Sequence, residues 1–166
     1  YHTPPRGQED HPAVHVSWYD AVDYSQWLSE VTGRVYGLPS EAEWEKGARG
    51  IDNRIFPWGN QWDATRCNSG ESALEKTTSV HAYPDGVSPY DLLDMAGNVW
   101  EWTRSLWGEY PYPTDQPEQA WRENLKAART RHRVQRGGAF HGFRRDVRCD
   151  SRRGVYPYNS GMHIGF

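Results

Sequence analysis

Asp94-Met95-Ala96-Gly97-Asn98-Val99-Trp100-Glu101-Trp102 decides the reading of this chain. A Gly-Asn pair interrupts an apolar and aromatic run. Gly97 permits backbone conformations that other residues resist, and Asn98 can close a turn with its own side chain. Asp94 and Glu101 flank the turn. Trp100 and Trp102 project to one side if the chain is extended there. An aromatic turn with oxygen donors on both sides reads as a scaffold piece around a hard cation. Asp94 and Glu101 would supply carboxylates, and Gly97 and Val99 carbonyls. Ca2+ suits an irregular multi-oxygen cage better than Mg2+. The alternative is that both carboxylates only cap backbone amides.

Two helices precede this turn. Ser17 is an N-cap with Asp20 three residues on. Trp18, Ala21, Val22, Ser25, Trp27, Leu28 and Val31 recur at helical spacing, and Gly33 is the stop. Ser40 and Glu43 form a second capping box, and Gly47 and Gly50 end that helix. His11 and His15 sit around Pro12 and read as structural, not as metal ligands. Phe56-Pro57-Trp58-Gly59-Asn60 is a turn with aromatic anchors. From Gln61 to Pro89 the chain is polar and turn-rich. Asn68, Glu71 and Glu75 offer oxygens there, as solvated loop residues or as a second cation site.

After the turn, Gln119–Arg129 reads as a short helix. Arg129, Arg131, His132 and Arg133 form a basic cluster, a solvated face or else a phosphate contact. Arg133-Val134-Gln135-Arg136 begins a strand, and Gly137-Gly138 marks a bulge or close backbone approach. Ile164-Gly165-Phe166 looks like a last strand.

Composition sets limits. At 166 residues one domain with its own core is expected, residues 11–166, behind a polar arm or linker, residues 1–10. Only 36% of residues are hydrophobic, so nine Trp and ten Tyr must supply much of the core volume. Trp18, Trp27, Trp44, Trp58, Trp100 and Trp102 are the expected core rings. A net charge of −3 gives no global field for nucleic acid. No run reaches membrane length, and with no leader in view the cytoplasm is the favoured compartment. A chain opening at Tyr1 reads as a fragment or processed product. Cys67 and Cys149 allow one disulfide at most and read as two buried thiols.

Several ordered blocks carry a resemblance: HPAVHVSWYDAV from His11, LPSEAEWEKGARG from Leu38, FPWGN from Phe56, DMAGNVWEW from Asp94, RVQRGGAF from Arg133, RCDSR from Arg148 and IGF from Ile164. Together they resemble the formylglycine-generating-enzyme family, or sulfatase-modifying-factor domain. The resemblance implies an α+β, C-type-lectin-like fold, with two helices packed on short antiparallel strands and much irregular loop. The family's usual N-terminal strand is missing from this sequence.

The family's oxidases use two cysteines a few residues apart, after the Gly-Gly strand, to bind copper and activate oxygen. Here the place of the first holds Gly142, the loop is shorter, and Cys149 lies in a structural block. No copper is therefore expected, and no oxidase activity through that pair.

The same blocks also resemble the variable proteins of bacterial and phage diversity-generating retroelements. There the C-terminal segment is diversified at adenines of Asn codons. The corresponding positions within residues 139–166 are His141, Gly142, Phe143, Asp146, Ser151, Arg153, Val155, Tyr156, Tyr158, Asn159, Gly161, Met162 and His163. Every one except Met162 is reachable from an AAY codon. Arg148, Cys149, Arg152, Pro157, Ile164, Gly165 and Phe166 lie between them as frame. The stretch mixes rings, glycine and charge with no period of 2 or 3.6, so no folding pattern explains it. A diversified surface needs side chains on a frame that does not depend on them. The resulting expectation is a monomeric, non-catalytic domain that binds a protein or glycan ligand. The alternatives are an oxidase with another residue set, or an accessory domain of a larger regulatory chain.

Overall fold

The computed structural model describes residues 5–166, so the first four residues of the expected arm lie outside the described part. Helix α1 spans Trp18–Thr32 and α2 spans Glu41–Arg49. Both begin with a complete capping box, Ser17 with Asp20 and Ser40 with Glu43, which satisfies amide donors that a helix start leaves open. Gly33 ends α1 in the left-handed conformation. Gly50, not Gly47, ends α2. Gly47 lies inside the helix, where its lack of a side chain gives room to Leu92: a β-carbon there would meet Leu92 Cδ1 at 3.0 Å.

Four strands form one sheet in the order β3-β2-β1-β4. They are β1 (Trp100–Leu106), β2 (Arg133–Arg136), β3 (Arg152–Val155) and β4 (Ile164–Gly165). β2 pairs antiparallel with both β1 and β3. β4 adds to β1 in parallel, with Trp100 opposite Ile164. Three short 3-10 turns punctuate the polar stretch between α2 and β1. The expected helix over Gln119–Arg129 shrinks to α3, Glu118–Arg122. Beyond it the chain turns, and Asn124 accepts the Lys126 amide on its own side chain, an Asx turn that competes with helix.

The core is three small clusters, each with large rings. Trp18, Ala21, Leu38, Trp102 and Ile164 join α1 to the sheet. Trp44, Ala48, Met95 and Cys149 lie under α2. Phe56, Cys67, Ala96 and Val147 form the third, with Trp58 and Trp62 packed against it. Trp18, Trp44, Trp100 and Trp102 are buried as expected. Trp27 is not a core ring: it is 40% exposed, and Val31 beside it on α1 is 58% exposed. The stripe on α1 is wider than the face the sheet covers.

Charge is buried as well. Glu41 is fully buried, and Arg152 donates to it from Nε at 2.5 Å and from Nη2 at 2.8 Å. Arg122 lies 3.3 Å from the same carboxylate, and the buried Arg136 pairs with Glu45. This ties α2, α3, β2 and β3 together. Arg133, expected in the solvated basic cluster, is instead buried. Its guanidinium lies 3.8 Å from the Trp18 ring centre and donates to the Arg104 and Asn124 carbonyls.

Candidate functional site

Three loops meet behind the C-terminal segment, and the Gly97-Asn98 turn is their hub. Gly97 (φ +82°) runs so close to the next loop that a β-carbon would lie 2.1 Å from the Asn68 carbonyl oxygen. The Asn98 amide donates to that same Asn68 oxygen at 2.8 Å, and the Gly97 amide donates to Gly137 O at 2.8 Å. The Asn98 side chain accepts the Thr78 amide and donates to Asp94 and to Thr78 O. Asn68, fully buried, donates to Lys76 O and accepts the Ser72 hydroxyl. Asn68 is thus a latch between loops. Glu75 points to solvent on a left-handed backbone, φ 54°. Of the second expected cation pair, Asn68 is thus engaged by protein partners and Glu75 is exposed.

Asp94 and Glu101 are both engaged by protein donors. Asp94 accepts from Asn98 at 3.0 Å and Glu101 accepts the Trp44 indole N–H at 2.7 Å. Burial pushes the Asp94 carboxyl up to about 6 and the Glu101 carboxyl up to about 7, against these hydrogen bonds. Among the described residues no three His, Cys, Asp or Glu side chains gather as a metal site. The oxygens near the turn are hard donors of the kind a divalent cation takes, and the Asp94 charge adds to burial in raising the Glu101 carboxyl.

The hub holds the start of the C-terminal segment: Phe140 N donates to Asn98 O at 2.9 Å. From there the segment is fastened through backbone atoms. Gly70 N donates to Gly142 O, Cys149 N to Ile55 O, Trp18 N to Pro157 O, His15 N to Gly161 O and Trp100 N to His163 O. Val147, Cys149, Pro157, Ile164 and Gly165 are buried between these anchors. Gly137 and Gly138, both at positive φ, let the chain turn; a β-carbon on Gly138 would lie 2.7 Å from Asp146 O.

The candidate variable positions divide. Phe143 (55%), Tyr156 (39%), Tyr158 (58%) and Met162 (58%) are large apolar side chains left in solvent. His141 and Asn159 are exposed too. Tyr156 and Tyr158 stack nearly parallel, 5.3 Å between ring centres, and His132 meets Tyr156 edge-on at 4.2 Å. His141 and His163 meet edge-on at 4.9 Å. Asp146, Ser151, Arg153, Val155, Gly161 and His163 are half-buried. Val155 packs on the first core cluster, and Asp146 accepts the Phe143 amide. Gly142 departs from the expectation. It is buried, and a β-carbon would lie 3.2 Å from both Ala139 O and the Asp146 β-carbon, so it belongs to the frame.

Arg153 and His163 form the floor. Arg153 stacks 4.4 Å from the Trp100 ring centre and donates to Gln135 Oε1 at 2.8 Å. Burial lowers its guanidinium to about 10. Burial, and then the charges of Arg153, His141 and His15, hold His163 below the ordinary histidine value. Sequence reasoning missed His15, Trp100, His132 and Gln135 as neighbours of this face. Each lies in an element whose pattern reads as structural, so no local signal marks it.

Neither cysteine is poised for chemistry. Both are free and buried, in different clusters, and burial pushes each thiol up to about 12. A protonated thiol is a poor copper ligand and a poor nucleophile.

The small curled sheet, flanking helices and long tied loops define a C-type-lectin-like domain. A family model for the sulfatase-modifying factor enzyme 1-like domain matches residues 2–166, and the chain belongs to that family. It is 36% identical over 176 residues to a formylglycine-generating enzyme of Thermomonospora curvata, covering 95% of this chain and 54% of that one. The chain thus spans about half the length of that relative. Among solved structures, PvdO from Pseudomonas aeruginosa superposes with a TM-score of 0.80 at 28% identity, over 100% of this chain and 62% of that one. Treponema denticola variable protein 1 superposes with a TM-score of 0.79 at 22% identity, over 99% and 73%. No helix among the described residues is long and apolar enough to cross a membrane.

Proposed function

We propose that this domain is a non-catalytic ligand-binding module of the variable-protein kind. On this reading it presents the segment from His141 to His163 to a protein or glycan partner. The observation that carries it is the division of labour in that segment. Its anchors are backbone hydrogen bonds and buried small or apolar residues, while Phe143, Tyr156, Tyr158 and Met162 stand in solvent. Exposed large apolar groups that a fold does not need mark an interaction surface. Rigid rings bind at low entropy cost. The likeness in fold to the Treponema variable protein supports the reading.

A combined Phe143→Ser, Tyr156→Ser, Tyr158→Ser variant tests it. Its melting temperature should stay within about 3 °C of the parent, since surface substitutions cost little each. An unfolded or aggregated triple variant would return these rings to packing and end the display reading. The oxidase alternative is favoured by the identity to the Thermomonospora enzyme. It requires a reactive thiol or another residue set, and the two buried thiols speak against the first. Aldehyde formation on a cysteine-containing sulfatase peptide, with copper supplied, would establish it. A structural calcium ion at the Asp94–Glu101 turn is part of the proposal.

A further inference from the structure

The charge of this chain is divided along its length. Residues 129–166 hold nine Arg and two acidic residues, a net of +7, while residues 1–128 hold ten basic and twenty acidic residues, a net of −10. Some of the nine are consumed inside: Arg133 and Arg136 are themselves buried and bound to Arg104 O and Glu45, and Arg152 is bound to the buried Glu41. Arg148 pairs with Asp150. Arg129, Arg131 and Arg144 are exposed, and among the described residues no carboxylate lies within ion-pair distance of their guanidinium groups.

These cations border the display segment on both sides. Arg129 lies 5.1 Å from the Tyr19 ring centre, and Tyr19 follows Trp18, whose amide is bound to Pro157 between the two stacked tyrosines. Arg131 adjoins His132, which meets Tyr156. Arg144 follows Phe143 at the other end. Between them, at the floor, Arg153 has no carboxylate partner among the described residues, and its Nη2 and the Gln135 Nε2 are buried donors without an acceptor. Buried donor nitrogens left without an acceptor are costly, and Arg153 is a half-buried cation with no counter-charge among the described residues, so an incoming acceptor of negative charge would be favoured there. The carboxylates close by are occupied: Glu71 by Ser69 and the Arg144 amide, Asp146 by the Phe143 amide.

We propose that this face selects an acidic polypeptide surface, whose Asp and Glu carboxylates meet Arg129, Arg131 and Arg144 and reach toward Arg153. The inference rests on the display reading and adds the chemistry of the partner. A polypeptide fits better than a nucleic acid for two reasons. The cations are spaced by Tyr, Phe, His and Met side chains, which suit a mixed protein surface. The surrounding domain is strongly acidic, which repels a long uniform polyanion beyond the patch.

The test uses immobilised poly-L-glutamate, with poly-L-lysine, heparin and a DNA duplex as comparison probes, at about 20 mM and about 300 mM salt. Wild-type protein is expected to bind poly-L-glutamate at low salt and to lose about tenfold or more in affinity at the higher salt. A face variant, Arg129→Glu, Arg131→Glu, Arg144→Glu, should lose about tenfold or more. A control of equal charge change elsewhere, Arg6→Glu, Arg34→Glu, Lys46→Glu, should lose about threefold at most. Equal losses in both would overturn the proposal, because net charge alone would explain them. So would heparin or duplex binding more tightly than poly-L-glutamate, or no poly-L-glutamate binding above poly-L-lysine. If the face variant fails to fold, the single changes Arg129→Gln and Arg144→Gln replace it under the same criteria. Failure here leaves the display reading standing, because that reading depends on the melting temperature of the serine variant.

Discussion

Glu101→Gln is the most informative single change in the scaffold. Burial raises the Glu101 carboxyl from its ordinary 4.5 to about 7. A carboxyl whose folded value lies above its unfolded value binds protons more tightly in the folded state. Its contribution is therefore fully present below pH about 4.5 and is lost as pH rises through about 7. The shift corresponds to about 3 kcal/mol between those limits, and Asp94, itself raised to about 6, adds to the same slope. Glutamine keeps an acceptor for the Trp44 indole N–H but cannot ionise. We expect wild-type stability, measured by urea unfolding through tryptophan fluorescence, to fall between pH 5 and pH 8. The glutamine variant should lose much of that slope and be the more stable protein at pH 8 by about 1–3 kcal/mol. If the proposed calcium site exists, millimolar calcium should flatten the wild-type slope and not the variant's, because a divalent ion would take the place of the proton. A variant less stable than wild type at pH 8, without calcium, would refute the claim that a desolvated charge sits there.

Three further outcomes follow from the same geometry. Gly97→Ala places a side chain at positive φ and against the Asn68 carbonyl oxygen, so a loss of about 3 kcal/mol or more in urea unfolding is expected; a loss under about 1 kcal/mol would show that the loops separate easily. Glu41→Ala strands the guanidinium groups of Arg152 and Arg122 in the interior and should cost about 3–5 kcal/mol by the same assay, with Glu41→Gln costing less. Cys67 and Cys149, buried and protonated, should react with a thiol reagent at pH 8 only after denaturant is added, and rapid native labelling of either would contradict their placement.

Much of the frame was legible because local chemistry wrote it. Ser17 with Asp20 and Ser40 with Glu43 announce both helix starts, and the capping boxes are there in full. Gly137-Gly138 announced a close backbone approach, and Asp146 O supplies it. The misreadings share a different cause. Gly47 and Gly142 read as a stop and a surface position, but Gly47 packs against Leu92, far away in sequence, and Gly142 sits in the chain's own turn between Ala139 and Asp146, which no residue pattern announces. Arg133 reads as solvated because nothing local reveals that the Trp18 ring will lie under its guanidinium. Trp27 reads as core because helical spacing fixes which side a residue is on, but not how far the sheet reaches around that side. The carboxyls at the turn were legible as donors. Their partners, Trp44 and Asn98, depend on how α2 lies across β1 and how the turn closes.

The separation of frame from face has a physical source in the buried charge. A domain with few aliphatic side chains cannot hold an irregular C-terminal segment by hydrophobic burial alone. It holds β3 instead through Arg152 on Glu41, with Arg136 supporting the same region from β2. It holds the rest through backbone amides and carbonyls. Backbone groups are identical whatever side chain they carry, so anchors of that kind tolerate substitution next to them. Breaking a buried pair is costly, because the stranded partner keeps its charge in a poor solvent. The ions that make up the frame therefore cannot vary freely, whereas on the proposed reading Tyr156, Tyr158 and Phe143 can, since their rings stand largely in solvent and touch no buried core cluster. The buried arginines belong to the first group, and the buried cysteines and hub asparagines share the frame with them as uncharged packing and hydrogen-bonding residues. The second group is the set of side chains through which such a domain would meet a partner.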